Sequence, residues 1–378
     1  MKYLNLLMLP TDYCNMRCKY CFFNKEIQPK NKMNIEVLQH LMDITLPFYE
    51  RVTFIWHGGE PLSMGLDFYQ NVISIQNQYK KQYNVKIYNS IQSNFTLLTK
   101  EMVSFFLDKG FGLSTSYDGI NNEITRGNSS QIIAGMNKCF EANMKYGVIM
   151  IASKLNIHTL IESYELFKSK GIGFKVNPYL GIDQQLVLDY NVYTASMKEL
   201  FKYWALDTDT DTDIQVSSFN AIVDYILLQK KKLCTYTSCL GKWASVDYKG
   251  TIKPCNRYFP DEYSFGNIMD YSSFDEAFNS EGFRNLIIQA ISRRENCKEC
   301  EIFDFCSGGC NYVTMTENGG IENNNGKYCM YLKEMYRYIR DFLKDHENDQ
   351  NLNKYLKATL SKRFKRDIKD EILDNPIK

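Results

Sequence analysis

Eleven of the twelve cysteines fall into two groups along 378 residues, and their spacing limits what this chain can be more than any other feature. Cys14, Cys18 and Cys21 form a C-x3-C-x2-C run, and the next cysteine is as far on as Cys139. Eight more follow at Cys234, Cys239, Cys255, Cys297, Cys300, Cys306, Cys310 and Cys329. The density is far below that of a disulfide scaffold. The start, Met1 to Pro10, is mostly apolar after Lys2 but has no small-x-small cleavage pattern, so it reads as a first strand. The chain is therefore expected to be cytoplasmic, where clustered cysteines point to metal or redox chemistry rather than to bridges. The four histidines (His40, His57, His158, His346) are scattered, so ligation would rest on thiolates, which suits iron–sulfur clusters or zinc. Lys+Arg (45) and Asp+Glu (44) balance, which gives no general attraction to nucleic acid or to an anionic membrane. No apolar run reaches the roughly 18 residues of a membrane span.

Between the cysteine groups, short apolar runs alternate with amphipathic stretches. Strands are predicted at Leu4–Leu9, Val52–Trp56, Lys86–Gln92, Gly112–Tyr117, Val148–Ser153 and Gly173–Pro178. Helices are predicted at Ile35–Leu46, Leu66–Tyr79, Lys100–Lys109, Gln131–Tyr146 and Thr159–Lys170. Strand–helix alternation predicts an α/β fold with a parallel sheet. Six strands fall short of a closed barrel of eight, so an open, partial (β/α)6 TIM-like barrel is expected, with its chemistry at the strand C-termini. The expected division is a barrel over 1–205, a linker and helix over 206–232, a cysteine-rich domain over 233–335 and a charged helical tail over 336–378. The linker holds the acidic run Asp207–Asp213, read as a solvated loop, and a helix from Phe219 to Lys232. The tail carries a basic patch at Lys362–Arg366.

The loop after the first strand offers three soft ligands and no local fourth. A four-iron cubane on three thiolates leaves one iron open, as a catalytic metal site needs. Tyr20, Phe22 and Phe23 supply apolar surface beside it. A zinc knuckle borrowing a distant ligand is the competing reading. Three further elements weigh against it, each at a strand C-terminus: His57-Gly58-Gly59-Glu60-Pro61, Gln92-Ser93-Asn94 and Ser116-Tyr117-Asp118-Gly119. Glycines let backbone come close to a ligand, and Glu60 is a carboxylate able to accept from an ammonium group.

Together these elements resemble a radical S-adenosylmethionine (SAM) enzyme. The resemblance implies that Cys14, Cys18 and Cys21 hold a 4Fe-4S cluster whose open iron is chelated by SAM. It further implies that Gly58, Gly59 and Glu60 bind the SAM amino group. Ser116 would meet its carboxylate or ribose, Arg126 its carboxylate and Tyr20 its adenine. Ser153 and Asn156 are weaker ribose candidates.

The eight later cysteines suffice for two four-thiolate sites, leaving Cys139, on a helical pattern, as a buried apolar residue. Their order, Cys239-x10-Gly250-x4-Cys255, then Cys297-x2-Cys300-x5-Cys306-x3-Cys310, then Cys329, resembles the SPASM domain of radical SAM peptide maturases. Spacing alone leaves the grouping open, and two structural zinc sites are the competing reading. The resemblance implies Cys234, Cys239, Cys255 and Cys310 for one auxiliary cluster and Cys297, Cys300, Cys306 and Cys329 for the other. Three 4Fe-4S clusters and SAM are thus the expected cofactors.

The expected activity is that of an oxidoreductase that cleaves SAM reductively and takes a hydrogen atom from a residue of a peptide or protein. A flavodoxin- or ferredoxin-like donor would supply electrons. The layout is similar to anaerobic sulfatase-maturating enzymes, which oxidise a cysteine or serine to formylglycine and carry a basic aspartate directly after the cysteine matching Cys255. Asn256 stands there instead, and an amide cannot take up that proton. Maturation of a ribosomally made precursor peptide is therefore the preferred expectation. The sulfatase-maturating role is the alternative, and a non-catalytic electron carrier is a third reading. His57 and Arg257 are candidate substrate contacts.

Overall fold

The computed structural model describes residues 2–21, 30–207, 214–323, 325–349 and 352. Phe22, Phe23, most of the acidic run and the Lys362–Arg366 patch lie outside the described residues. The described residues divide into two compact units, each assembled from separate stretches of chain. The first comprises residues 1–117, 122–147 and 239–291, and the second 118–121, 148–238 and 292–378.

Six strands form close to where alternation predicts them: β1 (Tyr3–Leu9), β2 (Arg51–Trp56), β3 (Lys86–Ser93), β4 (Gly112–Ser116), β5 (Tyr146–Ala152) and β6 (Phe174–Pro178). In the first unit, β1 pairs in parallel with β2, β2 with β3, and β3 with β4. Two strands beyond the expected six appear here. β7 (Trp243–Asp247) pairs in parallel with β1 on its free edge, and the short β8 (Ile252–Lys253) pairs antiparallel with β7. In the second unit β5 and β6 pair in parallel, with Val148 opposite Phe174.

The period of two along each strand sorts the side chains. Val52, Phe54 and Trp56 of β2 are fully buried. Trp56 packs edge-on against Phe68 and Tyr69 of the helix Leu66–Gln82, at 5.6 and 5.8 Å between centroids. Its indole Nε1 donates to Asn89 of β3, whose amide is paired with Gln76 of the same helix. The indole is thus satisfied inside the core, which stabilises the contact by about 1 kcal/mol beyond the area it buries. The opposite face of β3 and β4 carries the part-exposed Ser90, Gln92, Ser114 and Ser116.

Helix starts follow local chemistry. Asn34 accepts from the N–H of Val37 and Thr99 from that of Met102, each an N-cap. Two helices end before their apolar patterns do. The helix predicted to Tyr146 stops at Glu141, because Asn143 takes a left-handed conformation and the N–H of Met144 turns back to the carbonyl of Cys139. The helix predicted to Lys232 runs Ser217–Leu228, ended by the left-handed Gln229. In both cases the misleading signal was side-chain pattern, and the αL cap that stops the helix is a backbone event. In the second unit the amphipathic helix Lys327–Asp345 lays Tyr331 and Phe342 inward against the helix Tyr190–Leu206, with Phe201 and Phe342 at 5.3 Å.

Candidate functional site

The loop carrying the first three cysteines is fastened to the turn after β2. The N–H of Gly59 donates to Thr11 (3.1 Å) and that of Glu60 to Tyr13 (2.7 Å). Gly58 sits at φ +101°, open to glycine but strained for other residues. Gly59 is required for a different reason: a Cβ there would lie 2.1 Å from the Tyr13 carbonyl oxygen. Gly59→Ala is accordingly expected to push the cysteine loop away, destabilising the first unit by about 1–3 kcal/mol. Iron content after anaerobic reconstitution should drop with it; a fully loaded, equally stable variant would refute this steric account.

Within the loop, Cys14 Sγ accepts from the N–H of Met16 at 3.5 Å and stands 3.9 Å from the amide of Asn94. Burial pushes the Cys14 thiol up to about 11, with Glu60, Cys18 and Cys21 adding to the effect. The three sulfurs therefore share one neighbourhood. The thiolate-only donor set suits an iron–sulfur cluster. Cys139 does not belong to it: it is fully buried on the helix Ser129–Glu141, as the sequence predicts.

Glu60 is 1% exposed. Its Oε1 accepts from Leu62 N (2.9 Å) and Ser93 Oγ (2.7 Å), and its Oε2 from Asn94 N (2.8 Å). Burial raises its pKa despite these bonds and the nearby Arg126. The carboxylate thus joins the ends of β2 and β3, with one of its roughly four acceptor positions left for a further donor. Asn94, in turn, donates to Asn15 at 2.9 Å and accepts from Thr96. Ser93 and Asn94 were visible in sequence only as a polar strand end; nothing in the spacing showed that they grip Glu60 and the cysteine loop.

Arg126 donates to the Tyr20 hydroxyl at 2.7 Å, and the N–H of Lys19 donates to Thr125 at 2.9 Å. The segment between Cys18 and Cys21 is thereby braced by the turn containing Arg126. Ser116 accepts from Gln92 at 3.0 Å on the part-exposed face of β3 and β4. At the end of β2, His57 Nδ1 accepts from the N–H of Gly58 at 2.8 Å. Burial and then the positive charge of Arg257 lower its pKa to about 4, so the ring is neutral and presents Nε2–H as a donor. Asn256 Oδ1 lies 3.2 Å from Cys255 Sγ.

Ser153 and Asn156 belong to the second unit and are fully buried. Asn156 accepts from Ser153 N (2.7 Å) and donates to Ile151 (2.8 Å), closing the turn after β5. Asp118, which the sequence analysis did not single out as a site residue, accepts from Ile151 N in the same unit.

Also in the second unit, Cys297, Cys300, Cys306 and Cys329 line a single cavity of about 230 Å³. Burial pushes the Cys306 thiol up to about 12, and Cys329, Cys297 and Cys300 contribute. Four thiolates at one cavity form a donor set that suits an iron–sulfur cluster. The loop is shaped by Arg293, 1% exposed, which donates to Gly308 (2.8 Å), Ile321 (2.8 Å), Gly309 (3.4 Å) and Asn311 (2.5 Å). Ser307, Gly308 and Gly309 all have positive φ, which turns these carbonyls toward the guanidinium. Tyr328 has Cys310, Cys306 and Cys234 in its electrostatic surroundings. Cys239 caps the turn into β7 through its carbonyl, and that of Cys255 accepts from Ser245 at 2.8 Å. Among the described residues no helix is long and apolar enough to cross a membrane, and none offers a group of three His, Cys, Asp or Glu side chains arranged for a single metal ion.

Comparison with known proteins agrees with this geometry. Residues 8–167 match the radical SAM superfamily, and residues 234–301 match the SPASM iron–sulfur cluster-binding domain. The cysteine-type anaerobic sulfatase-maturating enzyme of Clostridium perfringens is 26% identical over 360 residues, covering 89% of this chain and 96% of that protein. The serine-type enzyme of Bacteroides thetaiotaomicron is 24% identical, covering 91% and 92%. The structure of native anSMEcpe with bound AdoMet and Cp18Cys peptide superposes with a TM-score of 0.79 at 25% identity, covering 89% and 96%. Streptococcus suis SuiB bound to its precursor peptide SuiA shares the fold, with a TM-score of 0.59 at 18% identity over 87% and 76%. The chain is an enzyme that carries a radical SAM domain followed by a SPASM domain.

Proposed function

We propose that this enzyme cleaves SAM reductively to modify a residue of a peptide or protein, maturing a ribosomally made precursor by cross-linking or oxidation. Bound SAM would supply a 5′-deoxyadenosyl radical that removes a hydrogen atom from an unactivated carbon. Cys14, Cys18 and Cys21 would hold the cluster to which SAM docks. Gly58, Gly59 and the remaining acceptor position of Glu60 would take the amino group. Arg126 would take the carboxylate and Ser116 the carboxylate or the ribose, Tyr20 would flank the adenine, and Ser153 and Asn156 would lie toward the ribose. The hydrogen bond between Tyr20 and Arg126 would set two of these contacts together. His57 Nε2–H and Arg257 would donate to the substrate.

Cys297, Cys300, Cys306 and Cys329 would hold one auxiliary cluster, and Cys234, Cys239, Cys255 and Cys310 another, for three in all. Cysteine at every position leaves no open ligand site on either, which favours electron transfer over substrate ligation. A flavodoxin- or ferredoxin-like protein would donate electrons, in a reducing cytoplasm that keeps the free cysteines as thiols.

The observation that carries the peptide-maturation reading is Asn256. The resembled sulfatase-maturating enzymes use a basic carboxylate there, and this chain has an amide whose oxygen sits beside Cys255 Sγ. Formylglycine formation is the second reading, favoured by the sulfatase-maturating relatives that match over nearly their whole length. Reaction with short peptides encoded beside this chain is expected to give a product lighter by two hydrogens, with 5′-deoxyadenosine formed in step. A hydrazine-trappable aldehyde on a CxPxR or SxPxR peptide, with neighbouring peptides left unchanged, would instead select the second reading.

A further inference from the structure

The helix Lys327–Asp345 contributes more than Cys329 to the four-cysteine cavity. One turn further on, and so on the same face, Lys333 also lines it. Among the described residues lining the cavity, Lys333 carries the only permanent charge. Glu301 is held by Arg337 through both carboxylate oxygens, and Glu334, next in sequence to Lys333, pairs with Lys198. The ammonium thus shares the cavity wall with the four cysteines.

We propose that Lys333 is a positioning residue for electron acceptance, raising the reduction potential of an iron–sulfur cluster held by Cys297, Cys300, Cys306 and Cys329. This rests on the reading that those four cysteines hold such a cluster. Four thiolates bring four negative charges into a largely buried space, and accepting an electron adds one more. A fixed positive charge on the wall favours the reduced state over the oxidised one, and more strongly than it would in water. The electron comes from the substrate radical, which is oxidised as the cluster is reduced, so no further oxidant is needed. Arg293 cannot be varied for this purpose, because its guanidinium also shapes the cysteine loop. Lys333 is partly exposed and makes no comparable clamp, so its charge is separable from the fold.

The test is a redox titration, followed by electron paramagnetic resonance, of the anaerobically reconstituted full chain. Cys14, Cys18 and Cys21 are replaced by alanine throughout to remove the SAM cluster's signal. Lys333→Gln is expected to move one midpoint to more negative potential and leave the other in place, while Lys333→Arg stays at the parent value. An unmoved midpoint in Lys333→Gln overturns the proposal. Equal shifts in Lys333→Gln and Lys333→Arg also overturn it, since packing rather than charge would then be responsible. A separate Cys297→Ala, Cys306→Ala double variant checks the underlying reading. If its iron content matches the parent's, the cluster assignment fails; if iron falls but the Lys333 variants do not differ, only the role of the lysine fails.

Discussion

Replacing Cys18 by alanine is expected to reduce 5′-deoxyadenosine formation under dithionite to background. The side chain is 7% exposed, and its carbonyl accepts from the N–H of Cys21 at 3.1 Å, so the loop is tight around it. Alanine fits the same backbone without strain, so the loop survives while one of three sulfur ligands is lost. The described loop has no histidine, and its one carboxylate, Asp12, is engaged by Asn31, so the cluster has no third anchor. Cys139→Ala is the matched control, because that thiol is buried on the helix Ser129–Glu141, outside the loop. Chromatographic assay of 5′-deoxyadenosine reads both variants. Turnover by Cys18→Ala comparable to the parent's would mean that the trio does not hold the catalytic cluster.

Arg293→Met is expected to be the most destabilising change in the second unit. It strips the donor from the carbonyls of Gly308, Gly309 and Ile321 and from the Asn311 side chain. Each buried acceptor left without a donor costs about 1–3 kcal/mol, so the combined loss should exceed about 3 kcal/mol even after partial relaxation. For a unit of this size that corresponds to a melting temperature lower by at least about 6 °C. Iron content should fall as well, because Ser307, Gly308 and Gly309 hold their left-handed conformations against this guanidinium. Arg293→Lys keeps the charge but not the fork, and should recover only part of the loss. Differential scanning calorimetry of the reconstituted proteins decides it: a variant melting within a degree of the parent would show that the clamp is incidental.

Much of the architecture was legible in the chain. Strand positions followed from runs such as Val52–Trp56 bounded by turn residues, because alternation of burial is imposed by the strand backbone itself. The cysteine loop and the Gly58–Glu60 turn were legible because few residue types can do their work. Less legible were the two strands past the sixth: Trp243–Asp247 pairs with the free edge of β1, an event governed by a partner more than two hundred residues away. The helix ends at Glu141 and Leu228 were missed because residues such as Asn143 and Gln229 adopt αL without announcing it in their side-chain pattern.

At the site, residue chemistry alone pointed to thiolate ligation and to a catalytic centre at the strand ends, since sulfur donors at those spacings have few other uses. What contacts among distant segments decided was how those residues are held. The Glu60 carboxylate is turned onto Ser93 and Asn94, and Gly59 is needed for the carbonyl of Tyr13. Cys297, Cys300, Cys306 and Cys329 are brought around one cavity with Lys333 at its wall. The difference is physical: periodicity and ligand type are properties of neighbours along the chain, whereas burial, carbonyl direction and charge proximity exist only once remote segments have packed together.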